Sequence, residues 1–175
     1  MQRVMVVGIS SGVGKSTFAK KLANVLDLPV HHLDTLYWKP NWVETSSEEF
    51  SFLQREVAAQ ESWIIEGNYN STFGIRTERA DTIIYLELPL RVCLYRVFKR
   101  WLTNIGKTRS DMASGCKEKI DYAFIKFIVT TYRPRKRKMA DRLQHFLESG
   151  PDKKVIRLKG KKAIKSYIKT VDKVN

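Results

Sequence analysis

Cysteine is scarce: Cys93 and Cys116 are the two present, and neither sits in a metal-ligand or Cys-x-x-Cys spacing. That excludes a disulfide scaffold and a cysteine-based zinc centre, and it suits a reducing compartment. Long apolar runs are missing as well, so no segment reads as a bilayer span. The first ten residues are too short in apolar length for a signal peptide and lead straight into a strand. The expectation is a cytoplasmic protein with no membrane partner. Repeats, low-complexity tracts and a dividing linker are also absent, so one domain covering residues 1–175 is expected. Acidic residues are sparse in the second half. Residues 91–175 carry 24 basic side chains against 7 acidic, a net of +17, whereas residues 1–90 carry 8 against 11, a net of −3. Such asymmetry asks for an anionic partner, and charge alone does not choose among polyphosphate, nucleotide, nucleic acid and a membrane surface.

What is present is a regular alternation of strand and helix signals. Residues 3–8 (RVMVVG) form a short, nearly continuous apolar run, the pattern of a strand buried on both faces of a parallel sheet. A helix follows with Phe18, Leu22, Val25 and Leu26 on one face. Further strands are expected over 28–33, 63–66, 82–88 and 155–158. Helices are expected over 46–60, opened by the Ser46-x-x-Glu49 capping box, and over 90–103, 119–131, 135–147 and 163–171. Residues 37–43 read as an aromatic loop, and residues 104–115 as a mobile loop short of apolar anchors. Alternation of this kind predicts right-handed βαβ crossovers and an α/β fold.

Between the first strand and the first helix lies Gly8-Ile9-Ser10-Ser11-Gly12-Val13-Gly14-Lys15-Ser16-Thr17. Gly12 and Gly14 can take backbone angles closed to other residues, which lets consecutive N–H groups turn inward around an anion. The helix that follows adds its positive end. Lys15 supplies a full charge to the outer phosphates, and Ser16 a hydroxyl to Mg²⁺. The spacing departs from the strict phosphate-loop pattern in one place: Ile9 stands where the first glycine is expected, and Gly8 is one residue early. Either the loop is one residue longer or Ile9 takes the first position. The GVGKST core is intact, so residues Ser11, Gly12, Val13, Gly14, Lys15, Ser16 and Thr17 are the expected ATP site.

Asp34 closes the second strand, at the edge where open α/β sheets bind ligands. It can orient or deprotonate an acceptor hydroxyl or hold Mg²⁺ through water; it can equally be a turn or cap aspartate. Glu66-Gly67-Asn68-Tyr69 ends the third strand with a carboxylate for metal or acceptor, a glycine permitting close approach, and two hydrogen-bonding side chains. Tyr37, Trp38 and Trp42 offer faces for stacking, or anchor the loop. In the basic half, Arg96 and Arg100 share a helix face, Arg109 lies in the loop, and Arg133, Arg135, Lys136, Arg137 and Lys138 follow. Phosphoryl transfer needs such cations over the transferring group, and a lid that excludes water. The same run can instead bind DNA phosphates, although no helix-turn-helix or other reading motif is visible.

With GISSGVGKST, HLDTLYWKPNWVE, WIIEGNY, DTIIYLELP, TRSDMASGCKEK and YRPR in order, the chain resembles the P-loop nucleoside and nucleotide kinases of the adenylate-kinase-like group. Within them it looks most like the bacterial DNA topology modulation proteins. The resemblance implies a three-layer P-loop fold with a five-stranded parallel sheet, order 2-3-1-4-5, helices on both faces and a helical or loop lid near residues 101–135. It implies that Lys15 and Ser16 bind ATP and Mg²⁺, and that Glu66-Gly67 matches the acid and glycine ending the third strand. Asn70 stands where adenylate-kinase relatives place an arginine. Arg96 and Arg100 inherit the lid-entrance role, and Arg133 and Arg135 match the lid's exit arginines. Asp34 matches the acceptor-binding carboxylate of small-molecule kinases such as shikimate kinase.

The expected activity is ATP-dependent phosphoryl transfer. Its catalytic residues are Lys15, Asp34, Glu66, Arg100 and Arg109, and its cofactor contacts include Arg96. Ser16 and Asp34 face the metal, and Tyr37, Trp38, Glu66, Gly67, Asn68, Tyr69, Arg133 and Arg135 line the acceptor. A DNA-associated ATP-binding protein and a non-catalytic nucleotide-binding module are the alternatives.

Overall fold

The computed structural model describes residues 1–109 and 111–173. Five parallel strands form the central sheet: β1 (Arg3–Gly8), β2 (Val30–His32), β5 (Trp63–Glu66), β6 (Thr82–Glu87) and β7 (Lys154–Lys159), in the order β2-β5-β1-β6-β7. Numbered along the sheet's own strands this is 2-3-1-4-5. Val4 to Val7 of β1, Trp63 to Ile65 of β5 and Ile83, Ile84 and Leu86 of β6 are almost fully buried, as the unbroken apolar runs require. Each such Ile, Leu or Val contributes about 1.5–3 kcal/mol by leaving water. Asp81 sets the lower edge of the sheet, its carboxylate accepting from the Gln2 and Arg3 amides at 2.8 Å.

Every neighbouring pair in this sheet is parallel, so each connection crosses over and lays helices against the sheet. α1 (Lys15–Leu26) packs on β1 and β5 and against the closing helix α7 (Gly160–Asp172). The opposite face carries α3 (Ser47–Ala59), α4 (Phe73–Arg79) and α6 (Tyr122–Glu148). There α4 meets β1, and α6 meets β7 and α5 (Leu90–Thr103). Ser46 caps α3, its Oγ accepting from the Glu49 amide at 3.1 Å, and Asp121 caps α6 through the Phe124 amide at 2.7 Å.

Several local expectations are corrected. The helices expected over 119–131 and 135–147 are one continuous helix, α6, which begins at Tyr122 and runs through Pro134. Buried Ile128 on one side of the proline and Met139, Leu143 and Phe146 on the other hold both halves, and packing outweighs the lost backbone bond. The second strand ends at His32, so Asp34 lies in a single helical turn, α2 (Leu33–Tyr37). The aromatic loop is a hairpin of β3 (Trp38–Lys39) and β4 (Val43–Glu44) around the turn Pro40–Trp42. The stretch expected as a loop short of apolar anchors does have one, because Met112 is buried, and Cys116 just beyond it is buried as well. The segment expected as a lid, 101–135, comprises the last turn of α5, this irregular stretch and the first half of α6.

Hairpin and irregular stretch touch. The Trp42 amide donates to Cys116 Sγ at 3.4 Å and its indole N–H to the Lys117 carbonyl at 3.1 Å. These contacts hold Asn41 and Trp42 at φ 63° and 66°, a conformation that costs a non-glycine residue about 1–2 kcal/mol.

Candidate active site

The phosphate loop lies at the carboxyl edge of β1, and its two inner glycines have the left-handed angles the sequence called for, φ 79° at Gly12 and 99° at Gly14. A side chain at Gly12 would meet the Cys93 carbonyl oxygen at 2.3 Å, so the back of the loop rests on the backbone of α5. Ile9 continues the pairing of β1, its amide donating to the Leu86 carbonyl at 3.0 Å, and its side chain is buried in the core. Arg96 on α5 donates to the Val13 carbonyl at 3.0 Å. That bond ties the helix to the loop and places a guanidinium beside Gly14.

Glu66 is the centre of the charged groups. Its carboxylate, 4% exposed, accepts from Ser16 Oγ at 3.0 Å, lies 3.8 Å from Lys15 Nζ, and meets His32 Nδ1 at 2.9 Å. Burial pushes its pKa up, but the His32 hydrogen bond, the Lys15 charge and the Ser16 hydroxyl together hold it below the ordinary value. Glu66 is therefore ionised, and His32 Nδ1 donates to it. Asp111 lies nearby in the irregular stretch and is also buried. Its pKa is held down, against burial, by Arg109 at 3.2 Å and by the Ser16 hydroxyl. Ser16 thus faces two carboxylates, one from the sheet and one from residues 104–121. His32 and Asp111 were missed in the sequence. A histidine within an apolar strand reads as core, and Asp111 reads as a solvated loop charge.

Asp34 behaves differently. Burial and the neighbouring Glu66 charge push its pKa up, opposed by the Tyr69 hydroxyl and by Lys15 and Arg109. Tyr69 Oη donates to Asp34 Oδ1 at 2.7 Å, and burial followed by the Asp34 charge pushes that phenol's own pKa up. Asp34 therefore bonds tyrosine, and of the two carboxylates expected behind Ser16 it is Glu66 that meets the hydroxyl. Tyr69 belongs to an aromatic group with Tyr37, Trp38 and Phe50, whose ring centroids lie 4.9–5.1 Å apart in contacting pairs. Trp42 extends it at 5.2 Å from Trp38. These rings make one wall beside Asp34.

The turn after β5 is fixed from beneath. Arg76 of α4 is 0% exposed and donates to the Gly67, Asn68 and Tyr69 carbonyls at 2.9, 3.1 and 2.9 Å. The turn's three side chains then diverge. Asn68 makes two bonds to the Gly8 backbone, at 3.0 and 2.8 Å. Tyr69 reaches Asp34, and Asn70 accepts from Arg142 of α6. Asn68, expected to contact the acceptor, instead pins the start of the loop. Gly67 has φ 144° and its missing side chain makes room for Leu33. Arg142 stands beside Asn70, the position at which an arginine was looked for.

The remaining arginines divide. Arg100 Nε and Arg109 Nε both pair at 2.8 Å with Glu118, whose side chain is 5% exposed. Arg133 is exposed on α6, whereas Arg135 lines a cleft with Gly8, Asn70, Tyr85, Lys138 and Arg142. Arg100 and Arg109 are thus paired within the chain. Among the described residues no group of three or more His, Cys, Asp or Glu is arranged to cage a metal ion. The residues present fit an Mg²⁺ carried in on phosphates and held by Ser16, with ionised Glu66 behind that hydroxyl.

No protein-family model and no curated protein sequence matches the chain. Solved structures do match across nearly its whole length. A shikimate kinase from Acinetobacter baumannii, in complex with shikimate, is 14% identical, with a TM-score of 0.53, 99% of this chain and 92% of that one covered. A shikimate kinase from Bacteroides thetaiotaomicron is 18% identical, at a TM-score of 0.51, with 99% and 97% covered. A sugar kinase from Janibacter sp. HTCC2649 is 16% identical, at 0.51, with 99% and 92% covered. The fold is that of the P-loop kinases. At these identities the likeness speaks for the fold, and the chemistry must be argued from the residues. No described helix is long and apolar enough to cross a membrane.

Proposed function

We propose that this chain is an ATP-dependent phosphotransferase acting on a small hydroxylated acceptor. The observation that carries the reading is the convergence of Lys15, Ser16 and ionised Glu66 at the mouth of a loop with two left-handed glycines. Loop amides from Ser11 to Thr17 cradle the β and γ phosphates, and Lys15 spans them. Mg²⁺, held at Ser16, neutralises charge on the phosphates when bound.

Asp34 receives the acceptor. Its raised pKa makes it a better base than an ordinary aspartate, and Tyr69 fixes its orientation. The acceptor oxygen bonds to the γ-phosphorus as the bond to the β–γ bridging oxygen breaks. The acceptor proton passes to Asp34, and ADP leaves. Arg96 is already bonded to the loop, and Arg100 and Arg109, gathered by Glu118, carry the positive charge that the transferring group needs. Tyr37 and Trp38 wall the acceptor side. Residues 101–135 act as the lid.

Lys15→Ala tests this reading. It should abolish binding of a fluorescent ATP analogue and any ADP release, while circular dichroism and the melting temperature stay near wild type. Wild-type nucleotide affinity in that variant, or a wild-type chain that does not bind ATP with Mg²⁺, would overturn it.

A further inference from the structure

The proposed transfer step makes no use of His32, yet this side chain is buried at the site and bonded to its central carboxylate. The backbone sets the bond. β2 and β5 pair in parallel with His32 opposite Glu66, so the two side chains leave neighbouring strands on the same face of the sheet. His32 Nδ1 then lies 2.9 Å from Glu66 Oε2, with the side chains 8% and 5% exposed.

The protons have one arrangement. Glu66 is ionised and can only accept. His32 Nδ1 therefore carries a proton and donates it. Ser16 Oγ donates to the same oxygen, Oε2, at 3.0 Å, while Lys15 Nζ faces Oε1 at 3.8 Å. Asp111, the second carboxylate beside Ser16, is paired with Arg109. Two donors on one carboxylate oxygen fix where that oxygen sits, and so where the single Ser16 proton goes. A hydroxyl that gives its proton to Glu66 keeps its lone pairs for a cation.

The histidine gains little for itself. Its other ring nitrogen, Nε2, is buried and has no hydrogen-bond partner among the described residues. An unpaired buried nitrogen costs stability that an apolar side chain in this place would not lose. Local conflict of this kind marks a side chain present for its chemistry.

We propose that His32 is a positioning residue for the metal-binding hydroxyl: its Nδ1–H anchors Glu66 Oε2, Glu66 takes the Ser16 proton, and Ser16 is left with lone pairs free for the Mg²⁺ carried in on ATP. The proposal rests on the phosphotransferase reading, since it concerns how Ser16 serves the nucleotide.

The experiment is calorimetric titration of the full chain with a non-hydrolysable ATP analogue, once with Mg²⁺ and once with EDTA. The ratio of the two affinities is the gain that Mg²⁺ brings. His32→Leu removes the donor and keeps an apolar filling. It should cut the gain about tenfold or more, the usual effect of removing a partner behind a metal ligand, read against its own affinity in EDTA. His32→Asn puts an N–H on the same branch as Nδ1 and should restore most of the gain. His32→Gln carries its N–H one atom further out and should not. Circular dichroism checks the fold, and if His32→Leu does not fold, the contrast between His32→Asn and His32→Gln carries the test. A histidine that only fills space would lower the melting temperature and leave the Mg²⁺ gain untouched. That result, or equal losses in His32→Asn and His32→Gln, overturns the proposal alone. A wild-type chain that binds the analogue neither with Mg²⁺ nor without it overturns the phosphotransferase reading, and this one with it.

Discussion

Replacing Arg76 by methionine removes a guanidinium and keeps most of its stem. The three carbonyls of Gly67, Asn68 and Tyr69 lose their donors at 2.9, 3.1 and 2.9 Å in a place from which Arg76 itself is wholly excluded from water. Each buried acceptor left unpaired costs about 1–3 kcal/mol, so the gross loss is about 3–9 kcal/mol. Against this, the variant no longer buries a cation. Burial and the nearby Arg142 already push the Arg76 pKa down, and removing such a charge returns several kcal/mol. The net expectation is a loss of about 3 kcal/mol. For a domain of this size that lowers the melting temperature by about 6–12 °C. Thermal unfolding followed by circular dichroism, with urea titration for the free energy, measures it. Nucleotide affinity should fall too, because the turn carries Asn68 to the loop. A loss under about 1 kcal/mol with nucleotide binding intact would refute the role assigned to Arg76.

Two glycines in different surroundings give a second contrast. Gly12→Ala forces a left-handed alanine into the Cys93 carbonyl at 2.3 Å, and should cost more than about 3 kcal/mol in urea unfolding, whereas Gly74→Ala, in α4 with nothing within 4 Å, should stabilise by about 0.5–1 kcal/mol. A depressed carboxylate pKa means stability present above the ordinary value of 4.5 and lost as pH falls through the folded value. Glu66→Gln should therefore lower stability at pH 7 and flatten its decline on acidification below about pH 4.5. Parallel stability–pH curves for variant and wild type would contradict the ionised, hydrogen-bonded Glu66.

The inner strands β1, β5 and β6 were readable because they bury both faces and so write themselves as apolar runs, and Ser46 marks a helix start that side-chain chemistry enforces. The loop was readable because Gly12, Gly14, Lys15 and Ser16 are neighbours in sequence as well as in space. Legibility fails where function is assembled across the chain. Arg76 looks like one more surface base on a short helix, and only its burial beneath the turn gives it meaning. Glu118 gathers Arg100 and Arg109 across 18 and 9 residues, a spacing no local pattern encodes. Asp34 sits two residues past the strand it was expected to close, inside the helical turn that follows, since His32 ends the pairing with Glu66. Pro134 announces a break that the packing of α6 overrules.

One short turn carries three appointments. Residues 68 to 70 are consecutive, yet each answers to a different part of the molecule: the start of the glycine-rich loop, Asp34 and the long helix. On the proposed function, the nucleotide and acceptor pockets therefore share a keystone, and neither can be reshaped by importing a segment from another protein unless that segment brings its own Arg76 underneath. Successful alteration of substrate preference should come from the hairpin and from α6, which approach the turn from outside.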